Sequence, residues 1–285
     1  MTPDWRARVG VAACALAMQA CGGGLPLLHP AQPLPSGVTS LGAGIGSHWI
    51  GGQASQEVDA ARLQIAAAQG GSLALAPAAW VAAAVWSPGL FPWVNMRMGL
   101  GAESEAGISY TGRKARVDAR HALIFGRWAF SMGLGATIGL AHPSDFNSAG
   151  TSTLGSAEPL SGLDTSGVRS LGADVPFIVG WHSTADIARI WIGFRPSYEH
   201  AYGSLTSNLP LPAATLDFRS DVLSLSGLAG LAMGLRPLFI ALELGFGDSR
   251  AHASLLGNST TPIGGSASVS AFSFTPAAAL IWELR

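Results

Sequence analysis

The stretch Arg127–Ala141, RWAFSMGLGATIGLA, constrains this chain most. Alternate residues separate into two sets. Trp128, Phe130, Met132, Leu134, Ala136, Ile138 and Leu140 form one; Arg127, Ala129, Ser131, Gly133, Gly135, Thr137, Gly139 and Ala141 form the other. A strand sends successive side chains to opposite faces, so this predicts one greasy face and one small, mildly polar face. Ordinary strands run to about five or six residues, whereas a tilted strand crossing a bilayer needs ~9–11. This one is long enough to cross.

Composition points the same way. Charged residues make up 12% of the chain, about half the share of a soluble domain. The 37 glycines disfavour a helical bundle, because each interior Gly costs roughly 1 kcal/mol relative to Ala. Sixteen basic residues balance seventeen acidic ones, so nothing points to a nucleic-acid partner. Cys14 and Cys21 both lie near the N-terminus, which leaves the body without a disulfide or a thiolate metal site. No cofactor and no metal are expected.

Met1–Ala20 carries Arg6 and Arg8, then the apolar run Gly10–Met18, then Gln19 and the small Ala20 before Cys21. That is the pattern of a secretory signal peptide, with an apolar core too short to span a bilayer. Met18-Gln19-Ala20-Cys21 resembles a bacterial lipoprotein box. The resemblance implies lipidation of Cys21 as the first mature residue, with the lipid in the inner leaflet of the outer membrane. Residues 21–37, rich in Gly and Pro, read as a lipidated, flexible tether with a solvated His29. Residues 38–285 read as the barrel.

Ten strands are expected, with eight or twelve as alternatives. Val38–His48 is the first. Gln53–Gln69 reads as a short helix in a loop. Leu63–Met96 has no charge at all, but Gly70, Gly71, Pro77, Pro88 and Pro92 cut it too short for a membrane helix; two additional strands could lie in Leu73–Trp86. Trp93–Gly101, Glu105–Thr111, Ala115–Phe125 and Arg127–Ala141 follow in quick succession, with His121 on the greasy face. After a long loop at His142–Gly167 come Val168–His182 and Asp186–Ala201. Tyr202–Thr215 reads as a polar loop. Leu216–Met233 shows a phase slip near Ser220, Leu238–Ala251 alternates cleanly, Ala251–Gly265 reads as a loop, and Ser266–Leu284 ends the chain.

A soluble sandwich would turn its greasy faces inward and its polar faces outward. Here the face opposite the apolar stripe is mostly Gly, Ala and Ser with a few charges, which suits a narrow lumen better than a wetted surface. Connections near Ala102, Gly126, Thr184 and Arg236 are short, and most of the others are long. Phe125, Trp128, Trp181 and Trp282 fall at the short-turn end, and Tyr110, Tyr198, Phe246 and Phe272 toward the long-loop end. Two aromatic girdles and this loop asymmetry are features of transmembrane barrels. The chain therefore resembles the bacterial outer-membrane β-barrels, an all-β, antiparallel, up-and-down architecture. The resemblance implies short periplasmic turns, membrane lipid and the outer-membrane assembly machinery as partners, and a C-terminal insertion signal in the last strand. An extracellular or periplasmic protein partner is compatible with it.

The inward charges are Arg97, Glu105, Arg116, Asp118, Arg120, Asp174, Arg189, Arg195, Glu199 and Glu243. Both signs are present, and unpaired charges in a narrow lumen are expensive, so they should pair into a network. That network reads as a plug, and the competing reading is a selectivity ring in a small pore. Lipid-modifying barrel hydrolases resemble the chain in size and use a His with a Ser and a carboxylate. His182-Ser183 and Glu199-His200 are the pairs available, and no catalytic motif is present. His48, His142 and His252 read as solvated. The role expected is structural or surface-binding.

Overall fold

The computed structural model describes residues 26–67, 77–86, 88–140, 163–207, 214–257 and 265–285. The elements are β1 (Thr39–Gly51), α1 (Gln53–Ala67), α2 (Pro77–Val85), β2 (Gly89–Gly101), β3 (Ser104–Tyr110), β4 (Lys114–Phe125) and β5 (Trp128–Gly139). They continue with β6 (Leu163–Asp164), β7 (Arg169–Asp174), β8 (Phe177–His182), β9 (Ala188–Ser207), β10 (Ala214–Leu235), β11 (Leu238–Gly257) and β12 (Gly265–Leu284).

Neighbouring strands are antiparallel, and β1 pairs with β2 on one side and β12 on the other, so the sheet closes on itself. β7 and β8 both lie between β5 and β9. They are the two halves of one wall strand, interrupted where Pro176 cannot donate to the ladder. Counted as one, they make a ring of ten. β6 is a two-residue addition beside the far end of β9. The fold is an up-and-down antiparallel barrel of ten strands.

The outer face is apolar. Trp128, Met132 and Leu134 are 57, 53 and 64% exposed, while Ala129 and Ser131 between them are 1% exposed. The same alternation runs around the ring through Val94, Met96, Ile108, Val117, Ile190, Ile192, Leu242, Leu244 and Leu280, all exposed. Soluble monomers rarely expose contiguous apolar patches beyond a few hundred Å². A belt around a closed ring is the surface of a barrel that sits in lipid. No described helix is long and apolar enough to cross a membrane.

Several strands differ from the sequence expectation. Residues 77–85 are helical, not strand, with Pro77 at the first helical position, where its missing N–H is no loss. β9, β10, β11 and β12 have 20, 22, 20 and 20 residues. They run through most of what reads in the sequence as the polar loops Tyr202–Thr215 and Ala251–Gly265. Twenty residues tilted by about 40° rise ~50 Å, against an apolar band of ~25 Å, so these strands project well past the belt. The phase slip near Ser220 is absent, since β10 pairs in unbroken register on both sides.

What changes near Ser220 is polarity. Along β11 the outward residues are Leu238, Ile240, Leu242, Leu244 and Phe246, then Asp248, Arg250 and His252. The inward ones are Phe239, Ala241, Glu243, Gly245, Gly247 and Ser249, then Ala251, Ala253 and Leu255. β9 switches after Tyr198, β10 beyond Leu223 and β12 beyond Phe272. Below the switch the wall is greasy outside. Above it the wall is greasy inside, like a soluble protein. The inward apolar residues of the projecting wall, among them Leu205, Leu216, Phe218 and Leu255, pack with Ala54 and Ala61 of α1 and with Trp80, Val81 and Ala82 of α2. The loop between β1 and β2 thus fills the long-loop mouth with a small core.

Candidate functional site: the lumen and its internal segment

Residues 26–34, ahead of β1, are not a solvated tether. Leu27, Leu28, His29 and Ala31 are 3, 0, 4 and 0% exposed. This corrects the reading of residues 26–34 and of His29. The polar inner wall offers these residues more hydrogen-bonding partners than a linker needs. Residues 1–25, with the expected signal peptide and Cys21, lie outside the described residues, as does His142.

The segment runs down the inside of the barrel. Pro26 lies at the level of Gly245 and Thr275. The Leu27 and Leu28 N–H groups donate to the Glu243 carboxylate at 2.7 and 2.9 Å. Trp93 Nε1 donates to the Pro26 carbonyl at 3.2 Å. Lower down, Arg120 donates to the Pro30 and Gln32 carbonyls, and the Leu34 N–H donates to Glu105 at 2.8 Å. Gln32 reaches the Arg127 carbonyl beside the short β4–β5 turn. Gly37 N–H donates to the Gly99 carbonyl at 3.0 Å, and the chain then turns into β1.

Six of the inward charges form one continuous chain. Glu105 bridges Arg97 and Arg120. Arg97 reaches Asp118 at 2.7 Å, Asp118 reaches Arg116 at 2.7 Å, and Arg116 holds Asp174 with two bonds of 2.8 Å. All six are buried. The small inner face makes room for them: a Cβ at Gly135 would meet the Arg116 guanidinium at 2.5–2.8 Å. The alternation of glycines in the sequence is the space into which the neighbouring strands' long side chains lie.

The other four inward charges go elsewhere. Glu243 accepts from the internal segment and from Trp191 Nε1 at 3.0 Å. Glu199 pairs with Lys114, a partner the alternation missed because Lys114 opens its strand. Arg189 leaves the lumen chain for the short-turn rim, where Asp186, Arg189, Arg236 and Glu283 form a clasp of four. Arg195 is buried and lines a cavity of about 80 Å³ with Asp174, Lys114, Glu199, His48 and Trp86. His48 is 2% exposed, so it is not solvated as read. The cavity lies between the internal segment below and α2 above. It has room for a few waters and no more.

The aromatic residues fall on two levels. Phe125, Trp128 and Trp181 are consecutive across β4, β5 and β8 at the short-turn end, and Trp282 faces outward near it. Tyr198, Phe246 and Phe272 face outward at the polarity switch, and Tyr110 lies half-buried at the top of β3.

The candidate hydrolase pairs do not assemble. The Ser183 hydroxyl accepts from the backbone N–H groups of Ile187 and Ala188 within its turn. His182 contacts the Ser183 carbonyl. Glu199 faces inward and His200 outward, so they sit on opposite sides of the wall. The carboxylate that His200 meets is Asp221, at 2.8 Å on the exposed outer surface, with the Tyr198 hydroxyl on the same oxygen. His121 does face outward, bonded to the Ser104 hydroxyl at 3.0 Å. Among the described residues no His, Cys, Asp and Glu cluster could hold a metal ion.

No protein-family model and no curated protein matches the chain. Among solved structures, the attachment invasion locus protein Ail of Yersinia pestis is similar at 9% identity, over 87% of this chain and 99% of that one, with a TM-score of 0.31. The outer membrane protein OprG from Pseudomonas aeruginosa is similar at 8%, over 89% and 99%, with a TM-score of 0.38. The outer membrane protease OmpT from Escherichia coli is similar at 8%, over 88% and 97%, with a TM-score of 0.35. The membrane-barrel architecture of this chain rests on its own strand pairing and apolar belt.

Proposed function

We propose that this chain is a bacterial outer-membrane β-barrel with a structural or surface-binding role, and that its lumen is closed. One observation carries the reading: residues 26–34 occupy the lumen and are hydrogen-bonded to opposite walls through Glu243 and Glu105. With α1 and α2 in the other mouth, the cavity left between them and the segment among the described residues, about 80 Å³, holds a few waters. The outer surface is then what can meet a partner, above all the projecting wall of β9–β12 and the long loops. The short turns face the periplasm, and β12 carries the signal read by the assembly machinery. A planar-bilayer recording of the purified chain is expected to be silent; steady channel steps would overturn closure and favour the small pore.

Export by cleavage after Ala20 and lipidation of Cys21 belong to the same proposal. Labelled fatty acid should enter the chain and be lost in Cys21→Ala. The direction of the internal segment bears on the leaflet. Cys21 precedes Pro26 by five residues, a reach of at most about 18 Å. Pro26 is the end of the segment furthest from the periplasmic rim. The leaflet that a lipid on Cys21 enters therefore depends on the path of those five residues.

A further inference from the structure

We propose that the lumen is a binding site for a proline-rich peptide without regular secondary structure, and that residues 26–36 are its resident occupant. The inference rests on the closed-lumen reading and goes further, because it makes the closing element exchangeable.

The wall reads the segment mainly through its backbone. Glu243 takes two consecutive N–H groups and Glu105 takes a third. Trp93 and Arg120 take three carbonyls between them. None of these contacts depends on which side chain the peptide carries. The charge-assisted ones are the stronger kind, and they lie in a buried site where water does not compete. Side-chain selection comes from one apolar cluster on the wall. Leu27, Leu28 and Ala31 pack among Trp93, Trp191, Ile178 and Leu228.

The wall is also shaped for a peptide. A Cβ on Gly180 would lie 2.9 Å from the Ala31 Cβ and 3.1 Å from its backbone nitrogen. A Cβ on Gly99 would run into the Leu34 and Pro35 carbonyls. Prolines at 26, 30, 33 and 35 remove four N–H donors that the wall would otherwise have to satisfy, and they fix φ at four positions, which lowers the entropy lost on binding; Leu28 between them takes φ +51°, which turns its N–H and that of Leu27 onto one carboxylate. Finally, the segment is no strand of the sheet. It joins the wall covalently at one point among the described residues, through Val38 into β1.

The test separates occupant from wall after folding. A protease site is inserted at Gly37 in the full chain, and the protein is folded in detergent and then cut. A fluorescent synthetic peptide with the sequence of residues 26–36 is added, and its uptake by the folded barrel is followed by anisotropy. Saturable uptake is expected, competed by unlabelled peptide. A peptide N-methylated at the residues matching Leu27 and Leu28 should bind at least tenfold more weakly, since both donors to Glu243 are gone. Glu243→Gln should weaken the unmodified peptide by a similar factor. If the cut barrel keeps its fold and takes up no peptide, or binds the N-methylated peptide equally well, the inference is overturned. The bilayer recording of the uncut chain is a separate readout, so a failure of closure and a failure of exchange are distinguishable.

Discussion

Glu105 shows how much one residue can carry in a lumen. Its carboxylate meets Arg97, Arg120 and the Leu34 N–H, and the residue is 1% exposed. Breaking a buried ion pair by removing one partner costs about 3–5 kcal/mol, because the partner's charge stays behind. Glu105→Ala should therefore lower the temperature at which the folded barrel unfolds in SDS gels by many degrees, whereas Glu105→Gln, which keeps an acceptor, should lose less. The rim behaves differently. Burial alone would raise the Asp186 carboxyl, but hydrogen bonds from Arg189 and the charges of Arg189 and Arg236 outweigh it and hold it below the ordinary range. A carboxyl depressed in the folded state stabilises above its unfolded value, near 3.9, and that contribution fades as pH falls through the folded value. Wild type should thus unfold at higher temperature than Asp186→Asn at pH 7, and the gap should close below about pH 4.

At the scale of elements, the polarity switch along β9–β12 decides which substitutions matter. Leu205 and Tyr202 lie three residues apart on β9 above the belt, one inward and fully buried, the other outward. Leu205→Lys should break the core under α1 and α2, and trypsin should then cut at Arg62 of α1 in the folded barrel. Tyr202→Lys should leave that site as protected as in wild type. The same switch explains what was legible in the sequence. From Val94 to Leu140 the large aliphatic residues face lipid, so period-2 alternation gives strands, faces and lumen charges directly; Trp93, which turns inward to the Pro26 carbonyl, is the residue that this rule does not place. Beyond Phe246 the pleat continues, but lipid gives way to water outside and helices inside. Alternation with inverted polarity, as in Leu216-Asp217-Phe218-Arg219, then reads as loop or slip. Residues 26–36 were opaque for a related reason. A Pro-rich segment carries no periodicity, and its partners Glu243 and Arg120 are distant in sequence, so nothing local distinguishes a buried segment from a solvated one.

For the whole molecule, the cavity between α2 and the internal segment implies two seals in series. A conducting path must cross both, so opening either one alone should leave the barrel silent. Ala82→Asp places a charge in the core at the long-loop mouth, where Ala82 is 1% exposed, and should loosen the helices without touching residues 26–36. Glu243→Ala removes the acceptor of Leu27, Leu28 and Trp191 and should loosen the segment without touching the helices. In bilayers each single variant should record as wild type, and the double variant should show channel steps. Because the two sites share no contact, their effects on folding stability should add, while their effects on conductance should not. Steps from Glu243→Ala alone would mean that the helices do not close the mouth, and steps from Ala82→Asp alone that the segment does not fill the lumen. The continuous chain from Glu105 to Asp174 stays intact in all three variants, so any current that appears would pass a wall whose charges are still paired and should show weak ion selectivity.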